Sequence, residues 1–154
     1  MALVKTNNHL VGVSFPQFAK TLGEQLRLHG PQNDLQALVA APWFNGLTDY
    51  CQMDDIRPTP ASVQYRTVRR VQTKSAANKR KRSVAKGWLN TEEAMAKIPA
   101  TAQRSLTLPY LQLNSGSTGQ HMRIFIEHGP LQSEPSSGRF NTYGLSSTAT
   151  IPWF

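Results

Sequence analysis

The 154-residue chain has one cysteine, no apolar run of membrane length, and no acidic residue between Ile56 and Thr91. Each scarcity excludes something. A lone thiol, Cys51, cannot close an internal disulfide, and no Cys/His cluster has zinc spacing. Cys51 falls in Leu47–Met53, which reads as a half-buried strand, so a buried, inert thiol is expected. No carboxylate cluster has the arrangement of a two-metal hydrolytic site, and no metal or other cofactor is expected. No stretch approaches the ~20 apolar residues that span a bilayer, and Met1–Val11 has no signal-peptide core. A soluble, cytoplasmic protein is the expectation.

Basic residues are what the chain has in excess. The formal charge is +8, and ten Lys/Arg fall between Ile56 and Thr91, against seven basic and nine acidic residues elsewhere. The surplus lies in one internal block, which points to a polyanion. Val68, Val71, Val84 and Trp88 interrupt the block and argue against a solvated tail. Nucleic acid is the expected partner.

Hydropathy patterning reads as α+β. Leu10–Phe15 is strand-like and stopped by Pro16, and Thr21–His29 alternates as a second strand. Asn33 or Asp34 is placed to cap a helix over Leu35–Ala41. Trp43–Met53 is a turn and a strand, and Arg57–Ser62, with Pro58 and Pro60, is a linker and candidate boundary. This gives two parts, 1–60 and 61–154. Gln64–Lys74 alternates as a strand. A helix follows from Ala76 to about Gly87, with Lys79, Arg82 and Lys86 within about 60° of one another. Arg80 adds to its charge. Ala77, Val84 and Trp88 fall on the opposite face and are expected to pack on the body. Asn90 or Thr91 starts a short helix ending before Pro99. Leu106–Asn114 and His121–His128 are strands joined by Ser115–Gln120, and Phe140–Leu145 reads as a last strand.

Ser115–Gln120 (SGSTGQ) carries hydroxyls and permissive backbone that can approach a phosphate; the same composition makes an ordinary hairpin loop. His9, His29, His121 and His128 are scattered singly, and no pair has metal-ligand spacing.

At this loop the chain resembles a known family. Ser117-Thr118-Gly119-Gln120-His121, Arg123-Ile124-Phe125-Ile126 and His128-Gly129-Pro130-Leu131-Gln132 look like the glycine-rich loop and following strand of the type I-F CRISPR repeat-processing endoribonucleases. Gly12-Val13-Ser14-Phe15-Pro16, Ala41-Pro42-Trp43, Arg70-Val71-Gln72 with Lys74-Ser75, Tyr143-Gly144-Leu145-Ser146 and Pro152-Trp153-Phe154 agree in order and spacing. The match runs from Ala2 to Phe154.

The resemblance implies an incomplete ferredoxin-like N-terminal part and a C-terminal β-sheet part carrying an arginine-rich helix. It also implies binding of the CRISPR repeat stem-loop and metal-independent cleavage at its 3′ foot, with the ribose 2′-OH attacking the adjacent phosphate to leave a 2′,3′-cyclic phosphate. The enzyme then stays on its product inside the surveillance complex. Ser115 matches the serine that positions the ribose, and Tyr143 the tyrosine that orients the site. Ser117 and Thr118 match loop residues beside the scissile phosphate, and Gln120 of the same loop is expected to contact RNA. Arg70 and Gln72 match the pair that reads base edges at the foot of the stem. Arg82 and Lys86 match cations of the helix along the groove, joined here by Lys79 and Arg80. Ala85 stands where the family has an arginine, and Met122 where a phenylalanine stacks on a base.

One match is not found. The family's catalytic histidine precedes the segment matching Ala2-Leu3-Val4, and the expectation is that the first strand and most of the first helix are missing with it. His9 is the candidate surrogate base. The reading that follows is a stem-loop binder with lost or impaired cleavage, competing with active enzyme and so inhibiting CRISPR immunity. The alternatives are an active metal-independent endoribonuclease and a crRNA-capping subunit of the surveillance complex.

Overall fold

A computed structural model describes residues 9–42, 44–72, 76–99, 106–114, 119 and 121–154. The first pairing is a short hairpin. β1 (Gly12–Ser14) and β2 (Arg27–His29) run antiparallel, with Val13 opposite Leu28. The strand expected from Thr21 is thus confined to its last three residues. Helix α1 (Gln32–Ala40) follows, with Leu38 buried. Neither Asn33 nor Asp34 is its N-cap: Pro31 holds that position without a side-chain cap, and the Leu35 N–H donates to the Pro31 carbonyl.

The second sheet has four strands in the order β4-β5-β3-β6, all antiparallel. They are β3 (Gln64–Val71), β4 (Tyr110–Asn114), β5 (His121–His128) and β6 (Thr150–Trp153). Alternation sends Val68, Ile124 and Ile126 inward. Val11, Val13, Phe15, Leu22 and Leu38 join them, with Leu145 and Ile151, in one buried cluster. The hairpin lies so close to the sheet that a Cβ on Gly12 would meet Ile151 and the Phe140 ring at 2.6 and 2.8 Å. Only glycine allows that approach.

Two expectations for the C-terminal part are corrected. Phe140–Leu145 is a turn, not a strand. The Asn141 side-chain oxygen accepts from the Tyr143 and Leu145 N–H groups, and Gly144 sits at φ 73°, outside strand geometry. The last strand is β6, despite Pro152. Pro152 pairs with Tyr65, whose backbone bonds turn the other way, to Gln132. The proline nitrogen therefore faces the open edge of the sheet, where no donor is needed.

Leu47–Met53 is not a strand either. Tyr50 and Cys51 donate to the Leu47 carbonyl in a turn, and Cys51 is exposed. The alternating residues find no partner strand among the described residues, so the thiol is not buried. No helix is long and apolar enough to cross a membrane, among the described residues.

The basic helix is α2 (Ala76–Ala85), and it packs on α3 (Thr91–Lys97). α3 starts with a capping box: the Asn90 side chain accepts from the Glu93 N–H, and the Glu93 carboxylate accepts from the Asn90 N–H. α2 ends in a Schellman turn, with Gly87 at φ 68° and the Trp88 N–H on the Ser83 carbonyl. That reversal takes Trp88 out of helical phase. The face expected against the body, Ala77, Val84 and Trp88, is exposed, with Trp88 at 66%; Ala76 is the residue buried.

Candidate nucleic-acid interface

Side chains alternate along β3, so Arg66, Val68 and Arg70 share its inner face, and Gln72 continues the series just beyond it. Val68 enters the core, and the arginines flank it. Arg70 is held from two sides. With the Gln72 amide turned so that its carbonyl faces the guanidinium, that oxygen accepts from Arg70 Nη2 at 2.5 Å and from Nε at 3.3 Å. The Tyr143 ring lies 5.8 Å from Arg70 Cζ. The turn at Gly144 sets Tyr143, and the Ser146 N–H on the Val68 carbonyl, at 2.9 Å, ties that turn to β3. The structure thus brings together three residues named from the sequence: Arg70, Gln72 and Tyr143.

His9 lies on the same side of the fold. Its Nδ1 donates to the Phe140 carbonyl at 2.8 Å, and the Phe140 N–H donates back to the His9 carbonyl. A proton fixed on Nδ1 leaves Nε2 as the acceptor. His9 and Arg70 line one cavity.

The helix cations are less alike than their sequence suggests. Arg80 is half-buried, and its Nε donates to the Ile98 carbonyl at 2.6 Å, holding the end of α3. Lys86 Nζ lies 4.6 Å from the Trp88 ring centroid. Arg82 is exposed with no partner among the described residues, and Lys79 is half-buried. Met122 is half-buried against the core, opposite Leu113. Ser115, Ser117, Thr118 and Gln120 lie outside the described residues, as does the loop geometry expected of them.

Sequence reasoning missed a half-buried aromatic stack. His128 lies parallel to Phe18, with centroids 3.7 Å apart, and edge-on to Trp153. Arg66 caps it, 4.6 Å from the Trp153 ring, with Nη2 on the Gly129 carbonyl at 2.6 Å. Both His128 ring nitrogens are buried without a hydrogen bond. Burial, then the Arg66 charge, lowers its pKa to about 4. His29 also falls to about 4, through burial and then Arg27, and shares a 2.8 Å hydrogen bond with the Ser14 hydroxyl. No local pattern signals a stack whose rings, Phe18, His128 and Trp153, come from three separate segments. Neither histidine is poised to act as a base on a ligand. No group of His, Cys, Asp or Glu among the described residues is arranged to hold a metal ion.

The fixed Arg70–Gln72 pair beside Tyr143, in a chain with a basic helix after β3, agrees with a family match over residues 1–154, to "CRISPR-associated protein (Cas_Csy4)". The chain belongs to the Csy4 family. Among its Csy4 relatives, the CRISPR-associated endonuclease Cas6/Csy4 of Escherichia coli (strain UTI89 / UPEC) is 48% identical over 145 residues, covering 94% of this chain and 79% of that protein. The protein of the same name from Pseudomonas aeruginosa (strain UCBPP-PA14) is 45% identical over 157 residues, covering 99% of this chain and 84% of its own. The type I-F repeat-processing family indicated by the sequence motifs is therefore the family of this chain.

Proposed function

We propose that this chain acts as a metal-independent endoribonuclease that grips the stem-loop of CRISPR repeat RNA and cuts at its 3′ foot. The observation that carries the reading is the preset Arg70–Gln72 pair beside Tyr143, in a chain whose relatives are named endonucleases. Those names support cutting over the expectation of a competitor that only holds RNA.

Arg70 offers a planar fork to a base edge, its orientation fixed before RNA arrives, so little side-chain entropy is lost on binding. A-form major grooves are too narrow for base reading along the stem, which confines such contacts to its open end. Arg82, Lys86 and Lys79 supply phosphate attraction along the stem. The N-terminal part, 1–60, serves as the ferredoxin-like platform, and 61–154 as the RNA-binding part with its arginine-rich helix.

In the reaction, the ribose 2′-OH forms a bond to the adjacent phosphorus and the bond to the 5′-oxygen of the next nucleotide breaks. The 2′ proton passes to a base, and the departing oxygen takes up a proton. Ser115 positions the ribose and Tyr143 orients the site. His9 serves as the base, because its Nδ1–H is fixed on Phe140 and its Nε2 lone pair is left to accept. A positioned base is worth ~10²–10⁴-fold in rate. The same contacts hold the cleaved hairpin, which suits a subunit that remains on its guide RNA in the surveillance complex.

Single-turnover cleavage of a repeat hairpin by H9A, S115A and Y143F variants tests this. Cleavage is expected to fall at least about a hundredfold in H9A, with hairpin affinity retained. Unchanged cutting in both H9A and S115A would refute the site.

A further inference from the structure

Where Arg70 meets the turn after Phe140, the surface opens into a cavity of about 440 Å3. Segments far apart in the chain build it: His9 before β1, Arg69 and Arg70 on β3, and the stretch from Arg139 to Thr148. Among the described residues, its lining is rich in donors and contains no carboxylate.

These donors differ in how far they are already engaged. Arg69 is paired with Glu127, Nη2 to Oε2 at 2.7 Å. Arg70 is held by Gln72 and Tyr143. The Asn141 side-chain oxygen accepts two backbone N–H groups, so its amide NH2 is the group it can offer. The Ser146 hydroxyl accepts from the Thr148 and Ala149 N–H groups. Arg139 and Ser147 are exposed and have no partner among the described residues. The cavity therefore has fixed walls, a net positive lining and a guanidinium free to close on an anion. A stem cannot enter it; one nucleotide of a single strand can, at the small end of ligand-pocket sizes.

We propose that this cavity is a subsite for single-stranded RNA running on from the foot of the stem. Arg139 grips a phosphate there, with the Ser147 hydroxyl and the Asn141 amide as neighbouring donors. The proposal rests on the stem-loop reading, because Arg70 borders the cavity and the stem foot alike.

The test is equilibrium binding in EDTA of the full chain to three RNAs. They are the bare repeat stem-loop, the same with a short 5′ single-stranded extension, and the same with a short 3′ extension, each carrying a 2′-deoxy sugar before the cut. One extension is expected to tighten binding and to steepen the fall of log affinity with log salt by about 0.7 per phosphate held. R139A should abolish both gains and leave the bare stem-loop unchanged. The extension that gains identifies the flank. No gain from either extension, or a gain that survives R139A, overturns the subsite. So does a poly-glutamate peptide that cancels the gain at equal charge concentration, which would mark an unselective anion pocket. If the bare stem-loop fails to bind while a single strand binds through Arg139, the stem-loop reading falls and the subsite stands.

Discussion

The cations of β3 and those of α2 differ in how they are held. On the sheet, Arg66 is bound to the Gly129 carbonyl, Arg69 to Glu127 across the strands, and Arg70 to Gln72 under the Tyr143 ring. On the helix, Arg82 is exposed and no described residue pairs with it, and Lys86 Nζ lies over the exposed Trp88 ring. A preset guanidinium can discriminate between bases; a mobile one contributes attraction to any phosphate. Arg80 shows that position on the helix is not enough, since it is tied to Ile98 and serves the packing of α2 on α3.

The held region carries the largest expected response. His29 and His128 sit at about 4 in the fold, against the ordinary histidine value of 6.5. Between those values the unfolded chain binds more protons than the folded one. Stability is therefore whole above about pH 6.5, declines as the pH falls, and reaches its full loss below about pH 4. Denaturant midpoints measured across this range check it. H128F should flatten part of the acid loss without lowering stability at neutral pH, because neither ring nitrogen makes a hydrogen bond.

Next in size is R70A. Loss of one base-edge fork should cost about 1–3 kcal/mol in stem-loop binding and relax discrimination at the base it reads, as titration against a set of single-base variants would reveal. R82A should instead weaken binding equally across those variants and reduce the salt slope by about 0.9. If R70A and R82A behave alike, the contrast between held and free cations is wrong. The smallest effect belongs to E127Q. It removes an ion pair whose side chains are 49% and 36% exposed, so thermal denaturation should register only about 0–1 kcal/mol.

Much of this was legible in the sequence, where local pattern decides structure. Alternation gave β3 and β5, Asn90 or Thr91 ahead of two glutamates gave the start of α3, and the family resemblance named Arg70 and Gln72. What stayed hidden depended on distant partners. Pro152 disguised β6, because a proline is tolerated only when that strand proves to be the edge. Asn141 and Gly144 turned an apolar segment away from strand geometry. Leu47–Met53 had a strand's alternation but nothing to pair with. The helix face misassigned at Trp88 followed from the reversal at Gly87. In the site, Arg80 read as a groove cation until its partner on Ile98 was seen, and the cavity at Arg139 joins segments no local pattern connects.

Incubating the protein with labelled repeat stem-loop in EDTA, with an all-ribose strand and one bearing a 2′-deoxy sugar before the cut, tests the central claim directly. The account predicts cleavage at the 3′ foot of the ribose strand alone, leaving a 2′,3′-cyclic phosphate. Tight binding with no cleavage of either strand would contradict it.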